Sequence, residues 1–272
     1  MNSLTIVVTT NPCESWSPST SLIEHVINQP VFESLKSAKW LICCDVVDNQ
    51  HAYYQNLKKL TNLPKHTSIL HNTPEKRGLK WSFIRSSESI TTPYVIFLEH
   101  DWLFQQDINW HEIVDVLDLN PQINKISFNK RINVVMKPNE KVIPFKSSDP
   151  VVTDSIRPWL TEPDDQPMWD TYLEEDRTIK GCTTILTKAL RWSNNPYICR
   201  SSMYRTWAKF INDHRNGNGS GGIEDKLVCQ YRSDCYTMGW HAAFKKWGVY
   251  LYGGLDHPTV VTHLNGRKYT IQ

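Results

Sequence analysis

The stretch "TTPYVIFLEHDWLF", residues 91–104, places three polar side chains directly after an apolar run. Tyr94 to Leu98 is continuous and apolar, as in a β-strand that is covered on both faces. Glu99, His100 and Asp101 follow with no turn residue between. Such side chains at the end of a buried strand either meet solvent or hold a ligand, and the preceding elements distinguish the two interpretations.

Three further apolar strands precede this stretch, and amphipathic helices separate them. The predicted strands cover 4–9, 39–47 and 66–72, and the predicted helices cover 19–37, 49–62 and 74–90. This alternation predicts an α/β fold with a parallel sheet that helices cover on both faces. Ligands of such sheets bind beyond the carboxyl ends of the strands. Polar residues follow each strand and are expected at one edge: Thr9–Asn11, Asp45–Asp48, His71–Asn72 and Glu99–Asp101.

The second half of the chain has a looser pattern. It predicts a helix over 107–121, a strand over 123–135, an irregular region over 138–170 and a strand entering a short helix over 181–194. A helix over 202–215, a glycine-rich loop over 216–222, a helix from 223 to 240 and late strands within 247–254 and 259–266 follow. No internal repeat is present.

Composition narrows the class of protein. Hydrophobic residues make up 40% and charged residues 21% of the 272 residues, which is typical of a soluble globular protein. A net charge of +2 gives no basis for a nucleic-acid partner, and no apolar run approaches the ~20 residues of a membrane span. Seven cysteines without a C-x-x-C pair favour a reducing compartment. These features, and an N-terminus unlike a signal peptide, predict a cytoplasmic protein without a transmembrane segment.

Four segments together resemble the GT-A glycosyltransferases, most closely the GT2-like group. They are "HNTPEKRGLKWSFIRSSESITTPYVIFLEHDW" (71–102), "KGCTTILTKAL" (180–190), "GGIEDKLV" (221–228) and "TVVTHLNG" (259–266). The resemblance extends over nearly the whole chain. It implies a single GT-A domain: a Rossmann-like, mostly parallel sheet with flanking helices. Residues 1–104 would be the nucleotide-sugar-binding half, and residues 105–272 the acceptor-binding and catalytic half.

In this family a D-x-D motif ends the fourth strand, and Glu99-His100-Asp101 stands in its place. The resemblance implies that Asp101 binds Mn²⁺ or Mg²⁺, that His263 completes the metal site and that Glu99 contacts the metal or the ribose. The implied donor is a nucleoside diphosphate sugar. His100 lies between the two acids. Packing into the interior is its favoured interpretation, and contact with the nucleotide is the alternative.

The resemblance also implies the remaining contacts to the donor. Thr9, Thr10 and Asn11 would flank the base and ribose, Asp45 (or else Asp48) would bind the base, and Gly181 would lie near the donor sugar. Arg77 and Lys80 are candidates for the phosphates, with Lys76 and Arg85 as alternatives, because the Arg-Asn signature of the family is blurred here. The second strand ends in "CDVVD" rather than Asp-Asp-Gly-Ser, so the identity of the base stays open.

In inverting members the carboxylate of an x-E-D motif takes the proton of the acceptor hydroxyl, which here implies Asp225, with Glu224 second. The alternative interpretation is that these acids only stabilise a helix N-terminus. The resulting prediction is a metal-dependent glycosyltransferase, inverting, that acts on a glycan or glycoside acceptor. It lacks the Q-x-x-R-W motif of processive synthases, which favours single additions.

Three alternatives stay open. Retaining glycosyltransferases share the fold. A sugar-nucleotide pyrophosphorylase would need a glycine-rich, basic loop after the first strand, and "TTNPCESWSPST" (9–20) has neither glycine nor a basic residue. A non-catalytic module that binds sugars or nucleotides would retain the fold without turnover.

Overall fold

The computed structural model describes residues 3–11, 20–45, 51–72, 78–130, 133, 173–189, 192–214 and 222–264. The strands are β1 Leu4–Thr10, β2 Lys39–Cys44, β3 His66–His71, β4 Tyr94–Glu99, β5 Trp102–Phe104, β6 Lys125–Ser127, β7 Leu173–Asp176, β8 Leu186–Ala189, β9 Tyr197–Arg200, β10 Val249–Tyr252 and β11 Val261–His263. The helices are α1 Ser21–Ile27, α2 His51–Lys58, α3 Leu79–Ser89, α4 Trp110–Leu119, α5 Ser201–Asp213, α6 Ile223–Met238 and α7 Trp240–Trp247, with a 3-10 helix at Pro30–Leu35.

Nine of these strands form one mixed sheet in the order β3-β2-β1-β4-β9-β6-β10-β8-β7. β1 pairs in parallel with both β2 and β4, and β2 pairs in parallel with β3. β9 is antiparallel to both of its neighbours, and β10 is parallel to β6. The predicted α/β architecture with a mostly parallel sheet is confirmed. β5 and β11 form a separate antiparallel pair.

Helices cover the two faces of this sheet and enclose two apolar clusters. On one face, α1, the 3-10 helix, α2 and α4 pack on residues such as Ile6 and Ile96. On the other, α3, α5, α6 and α7 pack on residues such as Val7 and Phe97. Successive residues of a strand point to opposite faces, so the largely apolar sequences of β1 and β4 follow from burial on both sides.

Several elements differ from the sequence prediction. The helix expected over 19–37 ends at Ile27, and a separate 3-10 helix begins at Pro30. Proline disfavours the helical conformation in the residue before it, and Gln29 is accordingly extended (ψ 136°). Of the strand expected over 123–135, the described part contains only β6. The helix expected near 194 is replaced by a loop over 192–196 that leads into β9, a strand that was not predicted.

The expectations about membranes and cysteines bear on the same described residues. None of their helices is long and apolar enough to cross a bilayer. Each cysteine that the structure describes is a free thiol, at positions 43, 44, 182, 199, 229 and 235.

The turn between α7 and β10 provides a test of the fold. Gly248 has φ +55°, and its carbonyl accepts hydrogen bonds from the Asn124 and Lys125 amides at 2.9 and 3.1 Å. A Cβ here would clash with the Gln122 carbonyl oxygen and lie 2.9 Å from the Asn124 nitrogen. We expect Gly248→Ala to lower the free energy of unfolding by about 2 kcal/mol or more, measured by urea denaturation.

The matched control is Gly222→Ala. Gly222 has an ordinary φ of −62°, and a Cβ there would meet no atom within 4 Å. If Gly248→Ala lowered the free energy of unfolding no more than Gly222→Ala does, this would contradict the turn described at Gly248.

Candidate functional site

The hydrogen-bond ladder of β1 to β4 continues past the strand ends and aligns their polar residues. The Asp45 amide donates to the Thr10 carbonyl at 2.8 Å, and the His100 amide donates to the Thr9 carbonyl at 3.0 Å. The Asn72 amide donates to the Cys44 carbonyl at 3.1 Å. The polar residues after these strands therefore lie side by side, as predicted. We call this set the carboxyl edge: Thr10, Asn11, Asp45, Asn72 and Glu99–Asp101.

A contact between Asp101 and His263 joins the carboxyl edge to the last described strand. His263 Nε2 lies 3.1 Å from Asp101 Oδ2. β11 pairs with β5 so that His263 is opposite Trp102, and the Leu264 amide donates to the Asp101 carbonyl at 2.8 Å. The hydrogen bond to Asp101 raises the pKa of His263. The two residues that the resemblance assigned to the metal are thus brought into direct contact.

The donor set suits a divalent ion. A carboxylate oxygen and an imidazole nitrogen are both ligands that Mn²⁺ accepts. Asp101 is buried, with 8% of its surface exposed, and the imidazole stands 3.1 Å away, so one ion could contact both. Within the described residues, no group of three or more His, Cys, Asp or Glu side chains is arranged to hold a metal. Of the three side chains that the resemblance assigned to the metal, the described structure brings Asp101 and His263 into contact and does not group Glu99 with them.

Glu99 and His100 occupy different environments. Glu99 is half-buried and leaves β4 on the face of Phe97, and its negative charge contributes to the raised pKa of His263. His100 is buried, and its Nδ1 accepts a hydrogen bond from the Asn11 amide at 3.3 Å. Burial lowers the pKa of His100. The imidazole packs inside and ties the end of β4 to the end of β1, which agrees with the favoured interpretation.

The residues predicted to flank the nucleotide base lie at the ends of β1 and β2. Thr9 and Thr10 are buried, and the Thr10 hydroxyl shares a hydrogen bond with the Tyr53 hydroxyl. Asn11 is exposed. Asp45 Oδ1 is enclosed and has no hydrogen-bond partner among the described residues. Asp48 lies outside the described residues.

The candidates for phosphate binding lie at different positions relative to the carboxyl edge. Lys80 is half-buried in the first turn of α3, the helix that follows β3, which places it toward the carboxyl edge. Arg85 lies farther along the same helix and pairs with Glu88 at 2.9 Å on the exposed surface. Arg77 and Lys76 lie outside the described residues.

Gly181 lies away from the other candidates. A Cβ on it would be 2.7 Å from Leu119 Cδ1, at the C-terminal end of α4. That end is held by Arg200, which donates to the Asn120 carbonyl at 3.0 Å. Arg200 pairs with Tyr94, the first residue of β4. Gly181 is therefore near the amino ends of the parallel strands, away from the carboxyl edge. Its placement near the donor sugar stays a prediction, and this location does not support it.

Asp225 and Glu224 lie in the first turn of α6. α5 begins where the Ser201 amide donates to the Pro93 carbonyl, beside the start of β4, and its 13 residues extend toward the carboxyl edge. The Lys226 ammonium donates to the carbonyl of His214, which directly follows α5. The N-terminus of α6 therefore lies on the side of the carboxyl edge. Asp225 is exposed, and its Oδ2 accepts a hydrogen bond from the Gly222 amide at 2.9 Å, so it also caps the helix.

Lys125 is a buried cation that the sequence analysis missed. Its Nζ lies 3.8 Å from the ring centroid of Trp192 and 4.1 Å from that of Tyr197, and it donates to the Ser193 carbonyl at 2.5 Å. Burial lowers the pKa of Lys125 to about 7, against a smaller opposing effect of Cys199 and Glu224. The sequence feature that could have indicated it is a lysine within the predicted strand, between Ile123 and Ser127.

The low pKa of Lys125 predicts a pH-dependent stability. Between pH 7 and the ordinary lysine range near 10.5, the unfolded chain holds this proton more firmly than the folded protein does. The free energy of unfolding therefore rises with pH in this window, by at most about 1.4 kcal/mol per unit. Lys125→Met removes this contribution. We expect the free energy of unfolding of wild type, measured by urea denaturation, to rise relative to that of the variant between pH 6.5 and 8.5. A difference in free energy that stays constant over this range would contradict the low pKa of Lys125.

Comparisons with known proteins bear on the fold. No protein-family model matches the sequence, and a search of curated proteins found no match. Among solved structures, GalNAc-T7 with UDP, GalNAc and Mn²⁺ is similar at 11% identity and a TM-score of 0.52, covering 99% of this chain and 45% of that one. S. aureus TarS 1–349 is similar at 12% identity and a TM-score of 0.49, covering 96% and 60%.

A nucleotidyltransferase is also among the similar structures. CMP:2-keto-3-deoxy-manno-octonic acid synthetase with CTP matches at 8% identity and a TM-score of 0.45, covering 95% of this chain and 91% of that one. The chain spans 45% of the length of GalNAc-T7 and 60% of that of TarS 1–349. The likeness to GalNAc-T7, together with the strand order of the sheet, shows that this chain has the GT-A fold.

Proposed function

We propose that this protein is a metal-dependent glycosyltransferase that moves a sugar from a nucleoside diphosphate sugar to an acceptor hydroxyl, with inversion of configuration. The observation that carries the proposal is the contact between Asp101 and His263 at the carboxyl edge of a GT-A fold. This pair joins residues from distant parts of the chain where α/β sheets bind their ligands. GalNAc-T7, which has a similar fold, was solved with UDP and Mn²⁺, and this supports the choice of ligands.

In this proposal the donor lies across the carboxyl edge. Asp101 and His263 would hold Mn²⁺ or Mg²⁺, and Glu99 would support the ion or contact the ribose. The ion, when bound, neutralises the diphosphate leaving group. Thr10, Asn11 and the enclosed Asp45 carboxylate face the base and ribose, and Lys80 faces the phosphates.

Asp225 is the proposed general base, and Glu224 is the second candidate. The acceptor oxygen attacks the anomeric carbon, the bond from that carbon to the diphosphate oxygen breaks, and the hydroxyl proton passes to the Asp225 carboxylate. The helix N-terminus favours the ionised carboxylate. Asp225 is exposed at the end of its helix, so an acceptor sugar can approach it.

The first test is a screen of UDP, GDP, CDP and ADP sugars with MnCl₂, with release of the nucleoside diphosphate and the melting temperature as readouts. At least one nucleotide should raise the melting temperature in a metal-dependent way, because a ligand stabilises the state that it binds. A retaining enzyme would give the opposite anomer of the product, and a pyrophosphorylase would instead release pyrophosphate from a nucleoside triphosphate. The absence of stabilisation by every nucleoside diphosphate would overturn the proposal.

Asp101→Ala should abolish Mn²⁺-dependent binding of the nucleoside diphosphate, because it removes the only carboxylate that contacts His263 in the described structure. Titration calorimetry with and without MnCl₂ measures the effect. Asp115→Ala is the matched control, since Asp115 is an exposed carboxylate within α4. Equal Mn²⁺-dependent affinity in the two variants would contradict the assignment of Asp101.

Asp225→Asn should lower kcat by about 10²- to 10⁴-fold and leave the affinity for the nucleotide unchanged, because it removes only a general base. Asparagine can still accept the hydrogen bond of the Gly222 amide, so the helix cap is retained. Steady-state kinetics and calorimetry on one preparation separate the two effects. Full activity in this variant would exclude Asp225 as the base and direct the same test to Glu224.

A further inference from the structure

Lys130 is an exposed cation beside the carboxyl edge that has no role in the site described so far. It follows the end of β6, and β6 runs in the same direction as β4, because both pair antiparallel to β9. Ser127 and Phe97 are both paired with Tyr197, so the two strands end at a similar height. Lys130, three residues after Ser127, therefore emerges on the same side as Glu99 and Asp101.

The backbone beside Lys130 is fixed to the strand that carries His263. The Asn129 carbonyl accepts hydrogen bonds from the Val260 and Val261 amides at 2.9 and 3.1 Å. The Asn129 side chain also donates to the Pro258 carbonyl at 3.3 Å. Val261 begins β11, and His263 ends it. The position of Lys130 relative to His263 is thus set by backbone pairing rather than by a free loop.

The Lys130 ammonium lies over the same indole ring that supports His263. Its Nζ is 5.6 Å from the ring centroid of Trp102, and the His263 ring packs against that indole at 4.7 Å. Across the part of the chain that the structure describes, Lys130 forms an ion pair with no carboxylate.

From this geometry we infer that Lys130 binds the diphosphate of the nucleotide-sugar donor, next to the ion held by Asp101 and His263. A nucleoside diphosphate carries more negative charge than one divalent ion and its two protein ligands neutralise, since Asp101 is itself an anion. An ammonium on a flexible stem can reach phosphate oxygens on either side of the ion. The inference rests on the proposed function and adds to it a residue that neither the D-x-D-like motif nor the x-E-D motif contains.

The test compares Lys130→Met, Lys130→Arg and Lys65→Met with wild type, using calorimetric titration of the nucleoside diphosphate found in the screen, with MnCl₂ present. Lys65 is an exposed lysine just before the amino end of β3, away from the carboxyl edge. Lys65→Met therefore removes the same charge as Lys130→Met at a site remote from the proposed diphosphate. Lys130→Met should bind the nucleoside diphosphate about 10- to 100-fold more weakly, the usual range for loss of a charged hydrogen bond. Lys130→Arg should bind within a few-fold of wild type, and Lys65→Met should bind like wild type.

Three further readouts separate phosphate binding from a structural role. In Lys130→Met the affinity for MnCl₂ alone should not fall, and the melting temperature should be unchanged. The dependence of the dissociation constant on salt concentration should become less steep, because one screened charge contact is lost. Wild-type affinity in Lys130→Met, or a loss matched by a lower Mn²⁺ affinity, would overturn the inference and leave the proposed function intact. Failure of wild type to bind any nucleoside diphosphate would overturn both.

Discussion

The parallel pairing of β1 with β2 on one side and β4 on the other is the constraint on which the site depends. All seven residues of β1 are buried, and the ladder aligns Thr9 with Glu99 and Thr10 with Cys44. Because both faces and both edges of this strand are covered, polar chemistry is confined to the residues beyond its end. The amides of Asp45 and His100 extend the ladder there, which brings their side chains together at the carboxyl edge.

The second constraint is the short antiparallel pair of β5 and β11, each of three residues. This pairing returns the last described strand to the end of β4 and places His263 opposite Trp102. The Trp102 ring supports the imidazole on one side, and Asp101 fixes its Nε2. Backbone pairing between two distant segments of the chain thus builds the candidate metal pair, and Lys130 is attached to the same strand through Asn129.

The sequence predicted the first half well because its signals are strong. Segments rich in apolar and β-branched residues indicated β1, β2, β3 and β4, and their polar ends indicated the carboxyl edge. Three- and four-residue strands such as β5 and β9 are too short to show a periodicity, and their pairing depends on contacts between distant residues. The break at Pro30 was present in the sequence, but the apolar spacing on either side of it favoured one continuous helix. Lys125 and Lys130 were missed because neither belongs to a motif, and only the fold shows what surrounds them.

The proposed function requires that Asp101 and His263 share one divalent ion at the carboxyl edge. Anomalous X-ray scattering from crystals grown with MnCl₂ and a nucleoside diphosphate tests it most directly. We expect a single strong manganese peak within coordination distance of Asp101 Oδ2 and His263 Nε2, with the diphosphate beside it. A manganese peak bound elsewhere, or a bound nucleotide with no metal between these two side chains, would contradict it.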